Sequence, residues 1–185
     1  INNPSRFDYF RGGYITARAI KRLLKKNKID LNQFESILDF GCGVGRVIRE
    51  FASLENTELY GSDYNPKLIK WDQKKLYCAN FSINQLEPPL KFEDGKFDFV
   101  YLISVFTHLP HQTQINWLKE FHRVIKDDKY HLITLHGEHV VKEIPQEEKE
   151  EFLKKGYVER TFDKPGSNHY GTFHTKKKKK KMLEG

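Results

Sequence analysis

Eight residues, Asp39 to Arg46 (DFGCGVGR), bring an acid, three glycines and an arginine together at the end of the apolar stretch Glu35–Phe40. Glycines at 41, 43 and 45 let a backbone pass close to a ligand, and a helix beginning behind them offers unpaired N–H groups. This is the chemistry of a nucleotide-type loop. In the dinucleotide pattern G-x-G-x-x-G the third glycine would fall at position 46, which here is Arg46, so the spacing is G-x-G-x-G. Asp39, two residues before the first glycine, would repel a pyrophosphate and attract an ammonium group. The amino-acid end of S-adenosylmethionine carries such an ammonium. Glycine triplets also make ordinary tight turns, so the loop acquires meaning only with partners.

The first partner is Asp63, 20 residues after Gly43 at the end of the stretch TELYGSDY. A carboxylate there is placed to accept hydrogen bonds from both hydroxyls of a ribose. The competing role is an N-cap for a helix opening near Pro66. Tyr64 beside it either covers an adenine face or packs. Cys42 and Cys78 lack metal-ligand spacing and read as small buried hydrophobes; no metal site is expected.

These residues need a scaffold, and the pattern supplies one. Apolar positions recur at helical spacing from Ile15 to Lys28, giving an N-terminal helical arm (1–30) whose aromatic start, FDYFRGGY, carries a Gly12-Gly13 hinge. ESILDF is a first strand and VIREFASL a helix after the glycine turn. TELYGSDY is a second strand, and Asn65-Pro66 opens a helix to about Tyr77. ANFSIN is a third strand, and QLEPPLKFEDGK an irregular loop. The nearly unbroken apolar run Phe97–Phe106 is a central fourth strand covered on both faces. Thr113–Ile125 is a helix, Tyr130–Glu138 a fifth strand and Pro145–Lys155 a charged helix ended by Gly156, with YVERTF as an additional strand. Alternating strands and helices predict an α/β fold: a Rossmann-like three-layer α/β/α sandwich with a mostly parallel central sheet.

ILDFGCGVGR, YGSDYNP and FDFVYLISVFTHLP resemble the motifs of class I S-adenosylmethionine-dependent methyltransferases, in the order that family uses, over about Arg6 to Thr175. More narrowly, EPPLKFEDGKFDFVYLISVFTHL, LHGE at Leu135–Glu138 and FHT at Phe173–Thr175 are similar to bacterial methyltransferases associated with glycan and surface-polysaccharide genes. The resemblance implies a small-molecule or glycan acceptor, with a sugar hydroxyl as the leaning. It implies that Asp39, Gly41, Gly43 and Gly45 hold the methionine part of S-adenosylmethionine, Asp63 the ribose, and Asn84, Gln85 and Leu86 the adenine edge. Backbone carbonyls of Ile103 and Ser104 would approach the cofactor from the end of the fourth strand. For a hydroxyl acceptor a base is useful, and His108, His136 and Glu138 follow the fourth and fifth strands; His108 is the first choice, with capping or packing as its ordinary alternative. Tyr170, His174 and the arm residues Tyr9, Phe10 and Tyr14 are candidates to shape the acceptor pocket. One departure stands out: lysines replace the expected continuation after Thr175, which predicts an incomplete C-terminal hairpin.

Composition bounds the rest. A chain of 185 residues, 38% hydrophobic and 31% charged, suits a single domain, 1–175, ahead of a disordered lysine-rich tail, 176–185. Its net charge of +7 lies largely in Lys176–Lys181; residues 1–175 carry 26 basic and 24 acidic side chains. Nucleic acid is therefore not an expected partner of the body. No apolar run approaches the roughly 20 residues of a membrane span, so no membrane partner and a cytoplasmic location are expected. Two other functions share parts of the pattern. A nicotinamide oxidoreductase has the strand, turn and acid, but Arg46 opposes it; a catalytically inactive cofactor-binding or scaffold protein fits the incomplete hairpin.

Overall fold

The computed structural model describes residues 6–136, 145–161 and 170–184. Its centre is a five-stranded sheet of β1 (Ser36–Phe40), β2 (Glu58–Asp63), β3 (Asn80–Ile83), β4 (Phe97–Leu102) and β5 (Ile125–Ile133), in the order β3-β2-β1-β4-β5. Every neighbouring pair in that sheet runs parallel. The chain therefore winds outward from β1 to β3, then restarts at β4 on the opposite side of β1. This reversal makes the carboxyl ends of β1 and β4 a topological switch point, where a crevice opens above the sheet.

Both faces are covered, which is why β1 and β4 are buried along their whole lengths. On one face Ile37, Phe99 and Tyr101 pack with Ala17, Ile20 and Leu24 of α1 (Arg6–Lys26) and Ile69 of α2 (Pro66–Lys75). On the other, Leu38, Phe40, Val100 and Leu102 pack with Trp117, Phe121 and Val124 of α3 (His111–Val124). The layered α/β fold read from the sequence is the one observed.

Asn65 caps α2, its side chain accepting the N–H of Lys67 at 3.0 Å, with Pro66 in the first turn. Asn65→Ala should lower stability by about 1 kcal/mol, read as a shift of the denaturant midpoint at constant slope.

Several expectations are corrected. VIREFASL forms a 3₁₀ turn, Ile48–Phe51, and not an α-helix. The Arg49 guanidinium donates to the carbonyls of Gly45 (3.1 Å) and Val44 (3.3 Å), so that the Gly45 carbonyl is shared with the Arg49 backbone N–H at a longer 3.4 Å. Gly12-Gly13 is no hinge: both lie inside α1, and a Cβ at Gly13 would sit 2.2 Å from the Arg46 carbonyl oxygen. These glycines bring the helix against the cofactor-type loop. β5 begins at Ile125, earlier than its apolar pattern suggests, because the buried Asp98 of β4 holds Lys126 (3.1 Å) and Lys129 (3.3 Å) against the sheet. The loop after β3, irregular as predicted, is pinned by Arg123, which donates to the carbonyls of Phe92 and Leu90.

Beyond β5, α4 (Gln146–Lys155) ends at left-handed Gly156, and β6 (Tyr157–Thr161) pairs antiparallel with β7 (Tyr170–His174). The hairpin forms, and among the described residues it joins the rest of the fold's β-structure through one parallel bridge, His136 to Phe173. Where a disordered tail was expected, α5 (Lys176–Glu184) is helical. Thr175 starts it by accepting the N–H of Lys178 on its hydroxyl (3.1 Å), and Met182 is buried. Lysine is a good helix former, and here that preference outweighs repulsion along the run.

Candidate functional site

The turn after β1 owes its shape to its glycines. Gly41 and Cys42 donate to the Ser62 carbonyl at 2.7 and 3.0 Å, which ties the loop to the end of β2. Gly41 has φ +75°, and a Cβ there would lie 2.3 Å from Val105 Cγ2, so only glycine leaves the crevice open at that point. Gly45 serves packing: its Cβ would meet Leu76 at 2.5 Å.

Asp63 stands at the tip of β2. Its carboxylate accepts the N–H of Gly43 at 3.0 Å and that of Asn65 at 2.8 Å. It is not the cap of α2, a role Asn65 takes. It instead joins the glycine loop to the start of the helix, with an acceptor-only group at the crevice wall.

A cavity of about 150 Å³ is lined by Gly41, Asp63, Tyr64, Leu86, Ile103, Ser104, Val105, His108 and Leu109. A smaller one of about 30 Å³ adjoins it through Gly41, Tyr64, Leu86, Val105 and Leu109, and adds Phe40, Asn84, Gln85 and Trp117. Nine of the residues singled out in the sequence thus share one crevice: Gly41, Asp63, Tyr64, Asn84, Gln85, Leu86, Ile103, Ser104 and His108. Trp117 Nε1–H donates to the Leu86 carbonyl at 2.9 Å and fixes the loop that carries the middle of this group. Asn84 is buried, and its Oδ1 has no hydrogen-bond partner. A buried acceptor left open beside a cavity suits a ligand N–H donor such as an adenine amino group. At the other wall Ser104 adopts φ +58°, a left-handed conformation unusual for serine, and its N–H donates to Thr134 Oγ1 at 2.6 Å. Strain of this kind persists where the surroundings impose it.

His108 lies in a 3₁₀ turn, Phe106–His108, and lines the larger cavity. Its Nδ1 is 3.0 Å from the Tyr170 carbonyl oxygen, an acceptor only. In the neutral ring the proton therefore sits on Nδ1, and Nε2 keeps the lone pair able to take a proton. Thr172 Oγ1–H donates to the Leu109 carbonyl at 2.6 Å, Tyr170 O–H donates to Glu159 at 2.7 Å, and Glu159 also accepts the His111 N–H at 2.7 Å. The β6–β7 hairpin is thereby fastened to the turn bearing His108. Val105, Leu109 and the Tyr170 carbonyl are site components that carried no signal in the sequence, because aliphatic side chains and backbone groups have no motif.

Other candidates lie elsewhere. Asp39 is buried beneath the loop and accepts the Tyr101 O–H at 2.9 Å; burial pushes its pKa up to about 7, with that hydrogen bond opposing. Asp39, Gly43, Gly45 and His136 do not line the two cavities. His136 stacks on Phe173 with centroids 4.8 Å apart, and Glu138 lies outside the described residues. His174 is buried with Nε2 3.3 Å from His111 Nδ1; burial, then His111, pushes its pKa down to about 3. That makes it a neutral packing group. Tyr9 lies near Gly43 under the Arg46 guanidinium, Phe10 under that of Arg49, and Tyr14 is exposed on α1. Burial raises the Cys42 thiol, which leaves it unreactive.

Residues 37–128 match the family described as "Methyltransferase domain". The chain is 31% identical over 119 residues to 24-methylenesterol C-methyltransferase 2 of Arabidopsis thaliana, covering 57% of this chain and 31% of that protein. It thus spans about three tenths of the length of the curated relatives it matches. The PH0226 protein of Pyrococcus horikoshii superposes with a TM-score of 0.65 at 18% identity, covering 98% of this chain and 82% of that one. A TehB-like SAM-dependent methyltransferase of Corynebacterium glutamicum gives 0.50 at 19% identity, covering 82% and 86%. The two structural likenesses agree with the fold.

Proposed function

We propose that this chain, whose residues 37–128 match the methyltransferase-domain family, transfers a methyl group from S-adenosylmethionine to a hydroxyl of a small-molecule or glycan acceptor. The observation that carries this reading is the shared crevice at the carboxyl ends of β1, β2 and β4. Its walls offer what that cofactor needs. The Asp63 carboxylate suits the ribose hydroxyls, the open Asn84 Oδ1 the adenine amino group, and the Cβ-free Gly41 a close backbone approach. When bound, the cofactor supplies an electrophilic methyl on a neutral leaving group.

The chain's own task is then to position and to accept a proton. His108 Nε2, with Nδ1 tied to the Tyr170 carbonyl, is the proton acceptor within the crevice. Tyr64, Val105 and Leu109 line the same cavity. The hydroxyl choice rests on this histidine and on the sequence resemblance to glycan-associated methyltransferases.

Asp39 gives a pH test. Its carboxyl titrates near 7 and lies under the loop expected to hold the amino-acid end of the cofactor. A bound ammonium favours the ionised form, so affinity for S-adenosylhomocysteine should rise as pH increases from below to above that value. The change should be up to roughly tenfold, the equivalent of one pKa unit. Calorimetry across that range checks it, and Asp39→Asn should flatten the profile; a flat wild-type profile removes Asp39 from cofactor binding.

A further inference from the structure

Helix α1 commits one stripe to the body, where Gly13, Ala17, Ile20 and Leu24 are buried. Its opposite face is not an ordinary solvated one. Between Tyr9 and Ile29 the sequence holds seven basic residues, Arg11, Arg18, Arg22 and Lys26 among them, and no acid. With that run set aside, the remainder of residues 1–175 carries 19 basic against 24 acidic side chains. Lys176–Lys181 aside, the excess of basic residues is thus concentrated in this stretch, which follows Asp8 in the first turn of α1.

Aliphatic side chains run through the same face. Ile15, Ala19 and Leu23 follow one another at i, i+4 and i+8, which places them in one row. Ile15 is 55% exposed and Leu23 46% exposed. Arg18, Arg22 and Lys26 form the adjacent row at the same spacing. Next to the helix, Lys21, Lys25, Lys28, Ile29, Asp30 and Leu31 line an open groove of about 370 Å³. Asp30 is turned to its own loop, where it accepts the N–H and the side-chain amide of Asn32.

We propose that this face docks the protein peripherally on an anionic lipid surface. Basic residues beside a surface of acidic headgroups each contribute about 1 kcal/mol. A helix whose outer face mixes cations with large aliphatic residues lies in the headgroup region with those residues inserted. In the groove Lys25 and Lys28 are the cations available to a headgroup phosphate, since Lys21 Nζ donates to the Glu50 carbonyl at 2.8 Å. A nucleic acid would satisfy the cations but leave Ile15 and Leu23 without a partner. A second copy of the chain, meeting this one through the same face, would set cations against cations. No helix among the described residues is long and apolar enough to cross a membrane, so the contact is with the surface. The sequence had suggested no membrane partner at all. This inference stands independently of which acceptor is methylated.

The test is flotation of the full chain with vesicles of phosphatidylcholine alone or mixed with phosphatidylglycerol. Three variants accompany it: Arg18→Glu with Arg22→Glu, Ile15→Ser with Leu23→Ser, and glutamine at Lys176–Lys181, since that run is also basic. The parent chain should float only with the anionic vesicles. Both α1 variants should bind at least roughly tenfold more weakly, the scale expected for two surface charges or two inserted side chains. The tail variant should stay within roughly twofold of the parent, by the same reasoning. Unchanged unfolding midpoints and S-adenosylhomocysteine affinity show that the variants are folded. The proposal is overturned if the parent ignores anionic vesicles, if the serine pair binds like the parent, or if loss follows the tail. It is equally overturned if single-stranded RNA is held through the same arginines while vesicles are not.

Discussion

His108→Ala is expected to lower turnover by roughly 100-fold, within the range for loss of a positioned general base, while S-adenosylhomocysteine affinity stays as in the parent. The expectation follows from one hydrogen bond. Because the Tyr170 carbonyl only accepts, the His108 ring proton is held on Nδ1, and the atom left to receive the acceptor's proton is Nε2. Replacement by Gln tests the assignment further, since an amide can keep the contact with the Tyr170 carbonyl but cannot take up a proton. His108→Gln should therefore fold like the parent and remain as slow as the alanine variant. Steady-state kinetics with any accepted hydroxyl substrate reads both; full activity in either variant removes His108 from proton transfer.

Asp63→Ala should weaken S-adenosylhomocysteine binding by about 1–3 kcal/mol, which is roughly 5- to 150-fold. Two effects combine in that figure. The variant loses the carboxylate placed for the ribose, and it also frees the N–H groups of Gly43 and Asn65, which Asp63 holds at 3.0 and 2.8 Å. Asp63→Asn keeps one of these contacts through its amide oxygen but loses the charge and sets its NH2 against the other N–H donor, so it should recover little of the alanine variant's loss. Calorimetric titration reads both variants, and unchanged affinity in a folded Asp63→Ala chain would exclude the ribose role.

Much of this site was legible because glycine and aspartate were doing different jobs at fixed spacing. The G-x-G-x-G turn and the acid at the end of β2 needed no tertiary information, and neither did the apolar run of β4, whose burial on both faces is what such a run means. Asn84 and Gln85 came only through the resemblance, since nothing in their local sequence marks a buried open acceptor. Asp39 lies beneath the loop and accepts the Tyr101 O–H, from a partner 62 residues away that periodicity cannot reveal. The same limit explains His136, which spends its ring on Phe173, and the 3₁₀ turn after the glycines, where one arginine side chain competes for helix carbonyls. Local patterns specify elements; the contacts that reassign a residue come from distant parts of the chain.

The central claim is that the crevice between β1, β2 and β4 holds an S-adenosyl nucleoside. Calorimetric titration of the full chain with S-adenosylhomocysteine, beside a matching titration with NAD, tests it most directly. Saturable one-to-one binding of the first and no heat with the second is the predicted result; binding of NAD, or of neither, would contradict it.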